Sequence, residues 1–98
     1  VVDNGSYGTI RMHQEREYPG RVSGSDLFNP DFAGLARANG WLAGEAISQT
    51  SDFEPALKAA LAADRPTLIH LRLDTDVSTS RATLAEIRAA AEKRLSGN

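Results

Sequence analysis

Segments with the pattern of β-strands alternate along this chain with segments that have the pattern of α-helices, and this order constrains the fold most strongly. The strongest strand candidate is residues 67–73 (TLIHLRL), whose side chains alternate between two faces. The valines at positions 1 and 2 indicate the end of a buried strand, and residues 45–49 (EAISQ) predict a short one. Strands that alternate with helices predict right-handed crossovers and a parallel sheet. The expected fold is therefore α/β, as one flank of a larger doubly wound domain.

Local signals place four helices between and after the strands. The first is predicted at residues 9–17, and it ends before Tyr18-Pro19 because proline disfavours helical geometry in the residue before it. Residues 19–28 are rich in glycine and serine and predict a loop. The last helix is predicted at residues 82–95, with Leu84, Ile87 and Ala91 on one stripe.

The two middle helices carry recognisable start signals. Asn29 is the predicted N-cap of one, with Pro30 at its first helical position and a stop at Asn39-Gly40. Ser51 and Glu54 predict a capping box for the other. Each helix has an apolar stripe that predicts a buried face; these stripes are Phe32, Leu35 and Ala36, and then Phe53, Leu57 and Leu61.

Composition excludes several classes of function. The formal net charge of −2 with mixed signs gives no electrostatic case for nucleic-acid binding. The chain has no cysteine, hence no disulfide framework and no cysteine-based metal site. No apolar run approaches the ~20 residues of a membrane span, and no signal-peptide pattern opens the chain. A start in mid-strand, without methionine, predicts a fragment whose residues 1–98 form part of one domain. The lack of cysteine fits a cytoplasmic protein.

The loop after the first strand is the best candidate for a ligand site. It runs through Asp3, Asn4 and Gly5 into Tyr7 and Gly8. Ligands gather where parallel strands end and loops lead into helices. Asn4 offers a side-chain oxygen, and the two glycines let the backbone approach a ligand closely. By these residues alone, however, the segment is also an ordinary turn.

The sequence resembles the C-terminal end of thiamine-diphosphate-dependent enzymes, the group of acetolactate synthase and benzoylformate decarboxylase. The residues that carry the resemblance are DNGSYGTIRMHQ at 3–14, LFNPDFAGLA at 27–36, Gly40, FEPA at 53–56 and PTLI at 66–69. The family's cofactor motif begins with Gly-Asp-Gly, which is absent here, and ends in Asn-Asn. This chain has Asp3-Asn4 at that end, so it departs from the family at Asp3 and adds negative charge there.

The resemblance implies a three-layer αβα fold, the C-terminal part of a thiamine-diphosphate-binding domain, and a Mg²⁺ site. In this family the second residue of the Asn-Asn pair and the backbone carbonyl two residues later bind the metal; these map to Asn4 and Ser6. Such oxygen ligands suit Mg²⁺, whose octahedral shell includes water and phosphate. Gly5 lets the loop turn sharply. Tyr7, Gly8 and Ile10 are expected along the diphosphate and the apolar side of the cofactor.

The implied parent protein is an enzyme that makes or breaks a carbon–carbon bond next to a carbonyl, as a 2-keto acid decarboxylase or an acetolactate synthase-like carboligase does. The cofactor supplies the chemistry, and the protein supplies position and electrostatics. The resemblance implies a small 2-keto acid or related substrate and a homo-oligomer, dimer or tetramer, with the cofactor between subunits. The activating glutamate then comes from elsewhere, so this chain alone is expected to be inactive. The alternatives are a non-catalytic module that acts in subunit association and an unrelated nucleotide-binding α/β domain.

The remaining polar residues carry simpler interpretations. His13 is interpreted as a solvated helix residue, although its segment lies near the active-site entrance in the family, which leaves a substrate-gating role open. His70 is predicted to be packed or half-buried in its strand. Glu15, with the charged residues around it, is predicted to lie on a solvated helix face. No set of residues predicts a Ser-His-Asp triad or a complete phosphate-binding loop.

Overall fold

Short parallel strands and helices make up the regular structure of residues 1–97, the part of the chain that the computed structural model describes. The strands are β1 (Val2–Asp3), β2 (Leu42–Ala43), β3 (Thr67–Leu68) and β4 (Leu71–Arg72). The helices are α1 (Gly8–Glu17), α2 (Phe32–Ala38), α3 (Phe53–Ala62) and α4 (Leu84–Ser96), and a 3₁₀ helix covers Thr50–Asp52. None of these helices is long and apolar enough to cross a membrane. Asn98 lies outside the described residues.

The described residues form two units. The first comprises Val1–Asp3 and Phe28–Leu73, and it holds β1 to β4 together with α2 and α3. The second comprises Asn4–Leu27 and the segment that begins at Asp74, and it is built on α1 and α4. The named strands therefore all belong to the first unit.

The strands of the first unit pair in parallel, as their alternation with helices predicts. The strand predicted at residues 67–73 is present as two pieces, because its two halves have different partners. Thr67 in β3 lies opposite Leu42 in β2, whereas Leu71 in β4 lies opposite Val2 in β1. The predicted parallel pairing is confirmed, and the aliphatic residues of these strands account for it.

The short strand predicted at residues 45–49 is displaced. Pairing begins earlier, at Leu42, and within the predicted range Ile47 makes an isolated parallel bridge to Leu71. The Ile47 N–H donates to the His70 carbonyl at 2.8 Å, and the Ile47 carbonyl accepts from the Arg72 N–H at 2.8 Å. The predicted range therefore contains a pairing residue, Ile47, but the bounds of β2 are set by its pairing with β3.

The start of α2 differs from the prediction. Asp31 is the N-cap, and its side chain accepts a hydrogen bond from the Gly34 N–H at 3.0 Å. The predicted cap, Asn29, instead donates its side-chain amide to Asp3 at 2.7 Å. The predicted stop is confirmed, since α2 ends at Ala38 with Asn39 as its C-cap. Aspartate and asparagine are both good N-caps. The hydrogen bond from Asn29 to Asp3 therefore decides that Asp31 is the cap.

The buried stripe predicted for α2 is confirmed at Ala36, with Phe32 half-buried, and is wrong at Leu35, whereas the stripe predicted for α3 is wrong. Ala33 and Ala36 are the buried residues of α2, while Leu35 is 56% exposed. In α3, Leu61 is 79% exposed, Phe53 and Leu57 are each 38% exposed, and no residue is buried. The spacing reports an apolar face, but it carries no information about which segment covers that face.

The predicted capping box of α3 is also wrong. Residues 50–52 form the 3₁₀ helix instead, and the N-cap of α3 is Asp52, whose side chain makes no capping hydrogen bond. The Ser51 backbone is therefore already turned into a helical conformation where an N-cap needs an extended one.

In the second unit α1 packs against α4. Leu84 and Ala91 of α4 are each 2% exposed, which confirms the predicted stripe of that helix. A full capping box begins α4: the Thr83 hydroxyl accepts from the Glu86 N–H at 3.2 Å, and the Glu86 carboxylate accepts from the Thr83 N–H at 2.8 Å. This pair satisfies two N–H groups that the helix itself leaves unpaired.

Candidate functional site

The candidate ligand loop, Asn4 to Tyr7, enters α1 through a tight turn. The Asn4 side-chain oxygen Oδ1 accepts a hydrogen bond from the Ser6 N–H at 3.1 Å. Between them Gly5 has a φ of +67°, the left-handed region that glycine enters without steric cost. An Asn-Gly pair folds this way because the asparagine side chain replaces a backbone acceptor of the turn.

A second segment of the same unit fixes this loop. The Leu27 N–H donates to the Gly5 carbonyl at 2.9 Å, and the Tyr7 N–H donates to the Ser25 carbonyl at 2.8 Å. Ser6 itself is buried, at 6% exposure, and its hydroxyl has no hydrogen-bond partner within residues 1–97. The glycine- and serine-rich stretch predicted as a loop is therefore the structural support of the candidate site.

The N-terminus of α1 is open. Its N-cap, Tyr7, makes no side-chain capping hydrogen bond, and the first turn contains no acidic residue. The first N–H groups of a helix have no partner within it and carry a partial positive charge, so they favour an anion such as phosphate. Tyr7 and Ile10 are 51% and 54% exposed beside it. An open pocket at this end is lined by Ser6, Tyr7, Gly8, Thr9 and Ile10.

The oxygens of this loop suit a hard cation that other groups also coordinate. Asn4 Oδ1 uses one lone pair for the Ser6 N–H and keeps a second, and no donor among the described residues is bonded to the Ser6 carbonyl. Residues 1–97 hold no group of three acidic, histidine or cysteine side chains that could enclose a metal. Neutral amide and carbonyl oxygens next to an open helix N-terminus therefore fit a Mg²⁺ that arrives with a diphosphate.

Asp3, the departure from the family pattern, is bound within the first unit. Its carboxylate accepts from the Asn29 amide at 2.7 Å and lies 2.8 Å from His70 Nε2. Because a carboxylate only accepts hydrogen bonds, Nε2 is the donor in this pair. His70 is 8% exposed and meets the Phe32 ring edge-on at 5.1 Å, which confirms the prediction that it is packed.

Sequence reasoning missed the buried ion pair of the second unit. Glu15 is fully buried, and Arg88 reaches its two carboxylate oxygens at 2.7 and 2.8 Å. The Gly20 N–H adds a third hydrogen bond at 3.1 Å. The Arg88 hydrogen bonds lower the pKa of Glu15, against the opposing effect of burial, and the same bonds raise the pKa of Arg88. The predicted solvated position of Glu15 is wrong, because its partner lies 73 positions away.

His13 lies where the simple interpretation placed it. Its side chain is exposed on α1, and Nδ1 lies 2.6 Å from the Arg16 guanidinium. Trp41 is likewise exposed, at 44%.

A family model for thiamine pyrophosphate enzymes, described as their C-terminal TPP binding domain, matches residues 1–71. This chain belongs to that family. The match includes the whole candidate loop and confirms both the resemblance and the fold class, an α/β domain of the three-layer αβα type. Among curated relatives of this family, the chain is 36% identical over 75 residues to the acetolactate synthase isozyme 2 large subunit of Escherichia coli (strain K12). The aligned part covers 76% of this chain and 14% of that relative.

Proposed function

We propose that residues 4–10 form part of the site that binds thiamine diphosphate and Mg²⁺ in a thiamine-diphosphate-dependent enzyme. The observation that supports this most strongly is the open N-terminus of α1 next to two neutral oxygens, Asn4 Oδ1 and the Ser6 carbonyl. Membership of a thiamine-pyrophosphate-binding family supports this assignment. Asn4 and Ser6 would bind the metal, and the first turn of α1 would face the diphosphate.

The remaining candidate residues have distinct roles in this proposal. Gly5 sets the turn that brings Asn4 and Ser6 together, and Gly8 begins α1, the helix end that would lie beside the diphosphate. Tyr7 and Ile10 present exposed apolar surface to the rest of the cofactor. Mg²⁺ prefers six oxygens at about 2.0–2.1 Å. An anionic ligand from outside this chain, the diphosphate and water would complete that shell.

For the whole protein we propose an enzyme that makes or breaks carbon–carbon bonds next to the carbonyl of a small 2-keto acid or a related substrate. The name of the acetolactate synthase relative supports this class of enzyme. A 2-keto acid decarboxylase belongs to the same class. Thiamine diphosphate, when bound, supplies the nucleophilic carbon for that chemistry. The residues of this chain bind and orient the cofactor, and none of them takes a catalytic role.

Calorimetric titration of the full-length protein that carries this chain tests the proposal. Thiamine diphosphate should bind only when Mg²⁺ is present, since the metal links the diphosphate to the loop. Asn4→Ala should weaken this binding by about 100-fold or more, because loss of even an outer partner of a metal ligand costs 10–100-fold. Asn39→Ala is the control, as the Asn39 side chain donates to the Leu35 carbonyl at the end of α2, in the other unit. If the unmodified protein binds no cofactor, the proposal is wrong and a non-catalytic module is favoured.

A further inference from the structure

Residues 74–83, here called the C-terminal loop, contact the candidate cofactor loop within the second unit. The Thr75 hydroxyl donates to the backbone carbonyl of Asn4 at 2.7 Å, across 71 positions of sequence. Ser78 in turn donates its hydroxyl to the Thr75 carbonyl at 3.1 Å. Both hydrogen bonds are partly buried, so water competes with them only weakly.

Ser78 also lies against the start of α1. A Cβ at Gly8 would come within 3.0 Å of Ser78 Oγ and within 2.8 Å of Asn4 Nδ2. The Asn4 amide, the first residue of α1 and the C-terminal loop are therefore packed together without spare room. A displacement of the C-terminal loop would free the Asn4 side chain to rotate.

The C-terminal loop is itself fixed to α4. The Asp76 carbonyl accepts from the Leu84 N–H at 2.8 Å, and the Asp76 carboxylate accepts from the Ala85 N–H at 2.9 Å. Asp74 accepts from the Asp76 N–H at 2.9 Å and closes the turn before it. The Arg88 contact to Glu15 then joins α4 to α1. Thr75 is thus held by a chain of hydrogen bonds and can hold Asn4 in turn.

We propose that Thr75 is a positioning residue of the cofactor site: its hydroxyl fixes the Asn4 backbone, so that Asn4 Oδ1 and the Ser6 carbonyl are set for the metal before it binds. This inference rests on the proposed function. Thr75 and Ser78 lie beyond residues 1–71, the span that the family model matches, so membership of the family assigns them no role. Preorganised ligands bind more tightly because less conformational entropy is lost on binding.

Two measurements on the full-length protein test this role. In Thr75→Val, which removes the hydroxyl at nearly constant shape, the Ser6 amide should exchange with solvent about three to ten times faster without cofactor, the factor expected for one lost hydrogen bond. The dissociation constant for thiamine diphosphate with Mg²⁺ should rise by about the same factor. Thr75→Ser keeps the hydroxyl and should restore both values. Thr50→Val, at an exposed threonine of the first unit, should change neither.

The outcomes separate this inference from the proposed function. Unchanged Ser6 exchange in Thr75→Val would overturn the positioning role, as would a loss of affinity that Thr75→Ser fails to restore. If the unmodified protein binds no cofactor, the proposed function fails and Thr75 cannot be a positioning residue for it. Ser6 exchange would then show only whether Thr75 holds the turn. Melting temperatures of all variants check that the mutations leave the fold intact.

Discussion

Replacing Arg88 with alanine should destabilise this protein far more than the loss of an ordinary surface charge. Glu15 is fully buried and takes two hydrogen bonds from Arg88, at 2.7 and 2.8 Å. The variant would leave its carboxylate with the Gly20 N–H but without its cation. A buried charge that loses its partner costs several kcal/mol, because the interior solvates it poorly.

The structure also limits the size of this effect. Removing one member of a fully buried pair costs about 3–5 kcal/mol. The Arg88 side chain is 41% exposed, so water can reach the place that its guanidinium leaves. We therefore expect about 2 kcal/mol for Arg88→Ala.

Thermal unfolding at pH 7, followed by helical circular dichroism, measures this difference. Arg81→Ala is the matched control, since Arg81 is exposed and makes no ion pair among the described residues; it should change the stability by less than about 0.5 kcal/mol. Adding Glu15→Gln to Arg88→Ala should recover part of the loss, because the unpaired charge disappears. If Arg88→Ala has the same melting temperature as Arg81→Ala, the buried pair does not hold α1 to α4, and the reasoning is refuted.

The remaining predictions concern pH, a helix cap and the cofactor loop. Because the pKa of Glu15 is lowered in the folded state, this residue stabilises the protein at pH values above its ordinary pKa of 4.5, and the contribution is lost as the pH falls through the folded pKa. Arg88→Ala should therefore make the free energy of unfolding fall less steeply with decreasing pH. An unchanged slope would contradict this. Thr83→Ala should cost about 1 kcal/mol in urea unfolding through loss of the α4 cap, and no measurable cost would argue against the capping box. Gly8→Ala should move the Asn4 amide and weaken cofactor binding about tenfold with little change in melting temperature; equal binding would show that the contact is not maintained.

Local sequence patterns predicted the elements well where neighbours in sequence decide the outcome. The helix predicted at residues 9–17 is α1, and the stop at Asn39-Gly40 ends α2. Tertiary contacts decided the rest. Asn29 lost its predicted capping role because Asp3 takes its amide, and Asp31 became the cap. A one-dimensional pattern cannot rank two nearby caps when a residue from another segment competes for one of them.

Burial was harder to predict than helix or strand. Glu15 is buried because Arg88, far away in the sequence, neutralises it, and no local signal identifies such a partner. The prediction for α3 was wrong in the opposite sense: Leu57 and Leu61 have the spacing of a buried face, but they are exposed. Periodicity reports that a face is apolar. Which segment covers it is a property of the tertiary fold.

The candidate site divides in the same way. The segment from Asn4 to Ile10 was predicted from a motif that is continuous in sequence, and the turn and the open helix start are local consequences of its residues. Thr75 could not be predicted, because its hydrogen bond to Asn4 joins positions 71 residues apart. The motif therefore indicates the proposed ligands, and the structure indicates which residues hold their backbone in place.

A crystal structure of the full-length protein with thiamine diphosphate and Mg²⁺ tests the central claim most directly. The account predicts Asn4 Oδ1 and the Ser6 carbonyl oxygen in the metal's coordination shell, each at about 2.0–2.1 Å, with diphosphate oxygens in the same shell. The first turn of α1 should face the diphosphate. A metal coordinated by neither Asn4 nor Ser6 would contradict the account, even if the cofactor were bound elsewhere in the protein.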